Sequence, residues 1–339
     1  VNNLIKLSVL DQSLVSAGET VFDAFQNTIF LAKEADKMGF HRFWVSEHHF
    51  AKNLAGSSPE ILMSHLATLT NTIRIGSGGV MLPHYSAYKV AENFRVLEGL
   101  FPNRIDMGLG RAPGGTHLAT KALQEYKSTY ADKYPQQLDD LITYLYDLAD
   151  NNFRFPSLFA TPKIDTAPEM WLLGSSGGSA LLAAERGAGY AFAQFINGEG
   201  GADVVKYYRE RFRPSIVNEK PHTLLAIIVF CADTDEEAEK LAMSGDLALL
   251  LLEKGVTTEG LPTIEEAQVY PYTDFDRNRI AINRKRMVVG SPSTVKKQIE
   301  LLCDQYETDE VMVVSFMNKR EHKIRSYQLL ANAFKLTDK

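Results

Sequence analysis

Eight short runs of β-branched and apolar residues alternate with longer amphipathic segments along this chain, and that alternation constrains its fold more than any other feature. The strand-like runs are residues 4–10, 41–47, 72–82, 104–110, 169–173, 189–193, 223–231 and 310–316. Between them, residues 20–38 read as a helix ended by Gly39, and Ser58-Pro59 opens another through residue 69, with Pro59 at a tolerated first-turn position. Residues 87–100 and 135–148, and the C-terminal segment from His322, are further helices. Such a pattern builds either a closed (β/α)8 barrel or an open doubly wound sheet. An open sheet of this size usually carries a glycine-rich turn after its first strand, whereas here that strand runs into Asp11-Gln12-Ser13. The expectation is a single α/β domain, a TIM barrel with insertions at its C-terminal mouth.

Hydrophobic residues make up 45% of the chain, enough for a large core and too many for a disordered one. A formal net charge of −6 disfavours nucleic-acid binding, which needs a basic face. Two distant cysteines, Cys231 and Cys303, offer neither a disulfide framework nor a zinc motif and fit a reducing cytosol. The N-terminal residues lack a signal-peptide pattern and no apolar run is long enough to span a bilayer, so a cytoplasmic protein away from the membrane is expected.

Two long connections interrupt the alternation, at residues 111–134 and at about 243–287. The second is polar, with Gly255, Gly260, Pro262 and Pro271. At the mouth of a barrel it reads as a lid or as a solvent-exposed loop.

Four motifs can carry chemistry. Ser46-Glu47-His48-His49-Phe50 ends the second strand, where barrels place catalytic groups. A carboxylate beside imidazoles suits acid–base work near neutral pH. Alternation along a strand lets Glu47 and His49 converge while His48 points elsewhere. A metal is the rival reading, but HExxH is absent and no second cluster has ligand spacing, so none is expected. Gly76-Ser77-Gly78-Gly79-Val80-Met81-Leu82-Pro83 places glycines inside a strand, which marks a bulge, crowding, or the close approach of a flat ligand. Gly108-Leu109-Gly110-Arg111 does not complete a dinucleotide fingerprint, because Gly114 arrives one position late. Arg111, just past a strand end, reads instead as a phosphate clamp or an exposed ion pair. Finally, Gly174-Ser175-Ser176-Gly177 joins a buried strand to an alanine-rich helix. Free N–H groups at the helix start and two hydroxyls make an anion pocket there, beyond what ordinary N-capping requires.

In this order and spacing, the segments resemble the bacterial luciferase-like family of flavin-dependent monooxygenases, over residues 7–195 and again at Val288-Val289-Gly290-Ser291-Pro292. The resemblance implies a TIM barrel that binds reduced FMN at its mouth, usually as a homodimer. A separate flavin reductase supplies the FMNH2, and O2 is used to oxygenate a small organic substrate. By position, His48 matches the family's catalytic histidine and Glu47 the carboxylate beside the flavin. Gly78-Gly79 matches a non-prolyl cis peptide beneath the flavin ring. Arg111, Gly174, Ser175, Ser176 and Gly177 match the surroundings of the flavin phosphate, with Lys133 or Tyr134 as candidates for a second clamp. Gln194 and Phe195 lie where the next strand meets the ring. Gly110 stands where the luciferase catalytic subunit has a reactive cysteine, and His117 near an acidic position, so the likeness is to a relative that does not emit light. An F420-dependent oxidoreductase on the same barrel, or a catalytically silent flavin-binding protein, are the alternative readings.

Overall fold

The computed structural model describes residues 4–125 and 132–337. Eight parallel strands close into a barrel: β1 (Lys6–Asp11), β2 (Arg42–Val45), β3 (Arg74–Ser77), β5 (Ile105–Gly110), β6 (Glu169–Gly174), β7 (Gly189–Ala193), β8 (Thr223–Cys231) and β10 (Glu310–Val314). Each pairs with the next, and β10 pairs with both β1 and β8, which leaves no free edge. The two remaining strands extend the mouth. β4 (Val80–Met81) continues the line of β3 against β5, and β9 (Met287–Gly290) lies outside β8. All eight barrel strands coincide with the runs legible in the sequence. The run at residues 72–82, however, is broken at Gly78-Gly79 by a cis peptide and ends in a 3₁₀ turn at Leu82–His84, because Pro83 cannot extend a ladder.

Helices surround the barrel: α1 (Val21–Lys37), α2 (Pro59–Leu69), α3 (Ala87–Leu100), α4 (His117–Leu123), α5 (Tyr134–Leu145), α6 (Gly177–Arg186), α7 (Gly201–Arg211), α8 (Asp235–Glu253), α9 (Ile264–Val269), α10 (Asp274–Arg284), α11 (Pro292–Tyr306) and α12 (Arg320–Phe334). Three begin with reciprocal capping boxes, at Thr20 with Asp23, Thr263 with Glu266, and Thr273 with Asp276. Gly39 takes a left-handed φ of 79° after α1, the conformation that lets the chain turn into β2. The insertion expected to start near residue 243 starts later. The run Leu247-Ala248-Leu249-Leu250 keeps α8 helical through Glu253, and capped α9 and α10 order most of the segment between α8 and β9. Residues 126–131 of the other long connection lie outside the described residues.

Strand alternation sorts the core into two shells. Val9, Phe43, Val45, Ile75, Ile227 and Val313 face the helices, while Leu10, Trp44, Trp171, Ala226, Met312 and Val314 fill the lumen. At the N-terminal end the lumen is closed by charge rather than by apolar side chains. Arg42 lies 2.9 Å from Asp106 and 2.7 Å from Glu169 and Glu310, and Arg74 also reaches Asp106. Trp44 Nε1 donates to Asp106, and Ser8 donates to Glu310. Burial alone would raise the pKa of Asp106, but Arg42 and Arg74 hold its carboxyl below the usual range. That plug seals the N-terminal end of the lumen, and the motifs singled out in the sequence lie at the C-terminal ends of the strands.

Candidate active site

Just past the end of β2, residues 46–49 form two separate side-chain pairs. Glu47 is 1% exposed and fully engaged. Its Oε1 accepts from Tyr85 Oη and pairs with His49 Nε2, both at 2.7 Å, and its Oε2 accepts from the Met81 N–H at 3.0 Å. Burial first, and then the hydrogen bond to Glu47, raise the pKa of Tyr85, so its phenol stays a donor. Glu47 and His49 therefore converge as the alternation implied. This hub fixes the chain around the cis Gly78-Gly79 bond by holding the backbone just beyond it.

His48 pairs separately, with Ser46. Its N–H donates to the Gly56 carbonyl at 2.9 Å, and its Nδ1 meets Ser46 Oγ at 3.0 Å. Burial, reinforced by His49, lowers its pKa to about 4, so the ring is neutral at neutral pH.

Beyond β5, the chain doubles back over this loop. Gly114 O accepts from His49 N, and residues His49 and Gly115 form a backbone bridge. A side chain at Gly115 would collide with the His49 carbonyl, which is why a glycine pair stands here. His84 Nε2 also meets Pro113 O at 2.8 Å. The glycines of β5 serve the same kind of packing. Gly108 lies against Ser77, whose Oγ donates to its carbonyl and accepts its N–H. Arg111 is 64% exposed and is held by a 3.1 Å ion pair with the equally open Asp132. Such a pair contributes less than about 1 kcal/mol, so Arg111 can be recruited by another anion.

The turn after β6 is braced from below and open above. The Ser176 carbonyl accepts from Ser179 Oγ and Tyr190 Oη, and the Ser175 carbonyl from Asn197 Nδ2. Ser176 is the N-cap of α6, yet no side-chain cap hydrogen bond forms. Nothing stands within 4 Å of where a Cβ would be placed on Gly177 or Gly178. The first turn of α6 thus has no side-chain cap from Ser176 and is open beside Gly177 and Gly178. At the end of β7, Gln194 is buried with its Oε1 unpartnered, and Phe195 packs against the lumen cluster.

The structure brings Glu47 and His49 together, pairs His48 with Ser46, and places the serine turn at a separate helix start. Tyr85, Asn197 and Tyr190 were missed from the sequence. Each acts through a hydroxyl or amide that arrives from a distant element, with no motif to announce it. Among the described residues, no three His, Cys, Asp or Glu side chains gather as a metal site.

Residues 5–306 match the family of luciferase-like monooxygenases. The chain belongs to that family. It is 56% identical over 331 residues to the Bacillus subtilis protein YwcH, covering 98% of this chain and 99% of YwcH. To the N-acetyl-S-alkylcysteine monooxygenase of the same species it is 39% identical over 332 residues, covering 97% and 98%. The crystal structure of apo-MsnO8 superposes with a TM-score of 0.89 at 37% identity, covering 98% of both chains. Membership places this luciferase-like chain among oxidoreductases of the monooxygenase kind, on the barrel expected from the strand count. No helix among the described residues is long and apolar enough to cross a membrane.

Proposed function

We propose that the protein is a two-component monooxygenase that takes FMNH2 from a separate flavin reductase and uses O2 to oxygenate a small organic substrate. The observation that carries this reading is the open start of α6, where Ser176 makes no side-chain cap and nothing stands within 4 Å of a Cβ on Gly177 or Gly178; Ser175, Ser176 and the first N–H groups of the helix would hold a phosphate there. Arg111 would add a cation to that phosphate. The buried, unpartnered Gln194 Oε1 suits an N–H of the flavin ring, and Phe195 and Gly78-Gly79 would border the ring. Bound there, reduced FMN supplies the electrons that activate O2.

The chain's own groups set the conditions for that chemistry. His48 stands neutral at the mouth as the catalytic residue. Glu47 acts as a positioning residue, because its oxygens are already engaged by Tyr85, His49 and Met81. The segment before α9 forms the lid. Leu261 pairs with Val15 and Ala17 through its backbone, which holds the lid over the loop after β1 and excludes water.

A homodimer is supported by an apolar stripe on neighbouring helices α2 and α3, where Ile61 is 75%, Val96 47% and Leu100 60% exposed. The two cysteines are free buried thiols, which supports a reducing, cytoplasmic setting.

The test is binding followed by turnover. FMNH2 is titrated anaerobically, with F420 as competitor, into the wild type and a Ser175→Ala/Ser176→Ala variant. The wild type is then mixed with 18O2 and an N-acetyl-S-alkylcysteine, the substrate class named for the 39%-identical relative. Tight FMNH2 binding weakened at least tenfold in the variant, with 18O in a product, supports the reading. Preference for F420, or bound flavin that never turns over across a panel of small organic substrates, overturns it.

A further inference from the structure

We propose that Ser46 fixes His48 in the tautomer that carries its proton on Nε2, so that His48 offers the mouth a hydrogen-bond donor rather than a base. Its partner would be an oxygen gaining negative charge in the reaction, an assignment that rests on the monooxygenase reading above.

The argument is one of satisfied donors. Ser46 is 4% exposed, and among the described residues its Oγ meets one polar partner, His48 Nδ1 at 3.0 Å. Two arrangements share that distance. If Nδ1–H donates to Oγ, the Ser46 hydroxyl proton is left buried with no acceptor, which folded proteins avoid. If instead Ser46 donates to Nδ1, every polar hydrogen at the contact is used, and the ring proton must sit on Nε2. Among the described residues no group meets Nε2, so that N–H is free for a ligand.

The surroundings agree. Glu47, the nearest carboxylate in sequence, has its oxygens engaged by Tyr85, His49 and Met81, so it does not balance a cation on His48. The charged form of His48 is disfavoured by burial and by His49, which pull its pKa to about 4. A fixed N–H aimed where negative charge develops lowers a barrier without itself titrating. Ser46 is then a positioning residue, acting through His48.

The test reads the tautomer directly. The 15N spectrum of histidine-labelled protein is recorded at neutral pH, without flavin, and His48 is assigned by its loss in His48→Gln. The expected result is a protonated Nε2 and a bare, hydrogen-bond-accepting Nδ1. Ser46→Ala should convert that signal to an average of the two tautomers, and Ser46→Thr should restore it. A wild-type Nδ1–H tautomer, an imidazolium, or a spectrum unchanged in Ser46→Ala overturns the tautomer assignment. Turnover then separates donor from base. His48→Gln, which keeps an N–H at similar reach, should exceed His48→Glu by roughly tenfold or more, since a lost oxyanion donor costs about 10²–10³ in rate. Glu outperforming Gln overturns the donor role. Absence of turnover in the wild type alongside the expected spectrum overturns the monooxygenase reading and leaves the tautomer standing.

Discussion

Glu47 is the residue at which a structural and a chemical account of this site diverge most sharply, and a pair of substitutions separates them. Glu47→Ala removes the acceptor of three hydrogen bonds, from Tyr85 Oη, His49 Nε2 and the Met81 N–H, in a position 1% exposed. A buried donor left without a partner costs about 1–3 kcal/mol, so even with partial relaxation the total is about 3–5 kcal/mol. A typical domain has ~5–15 kcal/mol in hand, so this is a large fraction of it. Glu47→Gln leaves the same volume and can satisfy the same partners. Its oxygen accepts from Met81 N–H, while its amide reaches Tyr85 Oη and His49 Nε2. Its cost should be about 1 kcal/mol. Urea unfolding reads both variants, with an unchanged slope required for the comparison. If the carboxylate only positions the loop, Glu47→Gln should also keep turnover within about threefold of wild type. A Glu47→Ala midpoint shift worth less than ~1 kcal/mol would refute the hub argument. A Glu47→Gln variant that is stable yet inactive would show that the negative charge itself takes part.

The same geometry leads to three further outcomes. His48 has its pKa depressed to about 4, so between that value and the ordinary ~6.5 the unfolded chain binds a proton that the folded chain does not. Stability is therefore full above that window and falls on acidification, by about 2 kcal/mol from pH 7 to pH 5, and His48→Gln should flatten that part of the urea-midpoint profile. Arg42→Met leaves Glu310 buried without its cation and Asp106 with Arg74 alone, and thermal unfolding should show a loss of about 3–5 kcal/mol. Removing one partner is costly here even though the intact ionic plug contributes little net stability. Gly108→Ala places a methyl group on the Ser77 carbonyl, and forcing β3 and β5 apart should cost about 2–4 kcal/mol or abolish soluble expression.

How much of this was legible in the sequence depended on whether a feature was local. The eight barrel strands were, because a period of two or a short apolar run is written in consecutive residues. β9 was not, since Met287-Val288-Val289-Gly290 is a four-residue strand outside the barrel, next to a polar helix. The insertion starts later than expected because α8 continues through Ser244, Gly245 and Asp246 to Glu253. Within the helix, Gly245 fits because Phe230 packs against it, and Asp246 is held by Arg284 at 2.7 Å. Both partners are remote in sequence. The serine turn was legible as an anion pocket, but the lack of side-chain capping by Ser176, which strengthens that reading, is a matter of rotamer and not of composition.

The motif at residues 46–49 shows where such reading stops. As letters, a carboxylate beside two imidazoles is one acid–base cluster. As extended chain it is two separate pairs at a spacing of two residues, because successive side chains leave on opposite faces. Glu47 reaches Met81 and Tyr85 beyond the cis peptide, and His49 reaches Gly114 and Gly115 of the 111–125 connection, which only the closed barrel brings alongside. Ser46 pairs with His48, and the partner that defines the histidine is the small hydroxyl rather than the acid next to it. The division follows from elementary strand geometry. What each face meets does not, because Tyr85, Met81 and Gly114 come from elements 34 residues or more away. A short string of acidic and basic letters can thus hold a neutral donor on one side and a structural clamp on the other, and the acid's own hydrogen bonds tell the two apart.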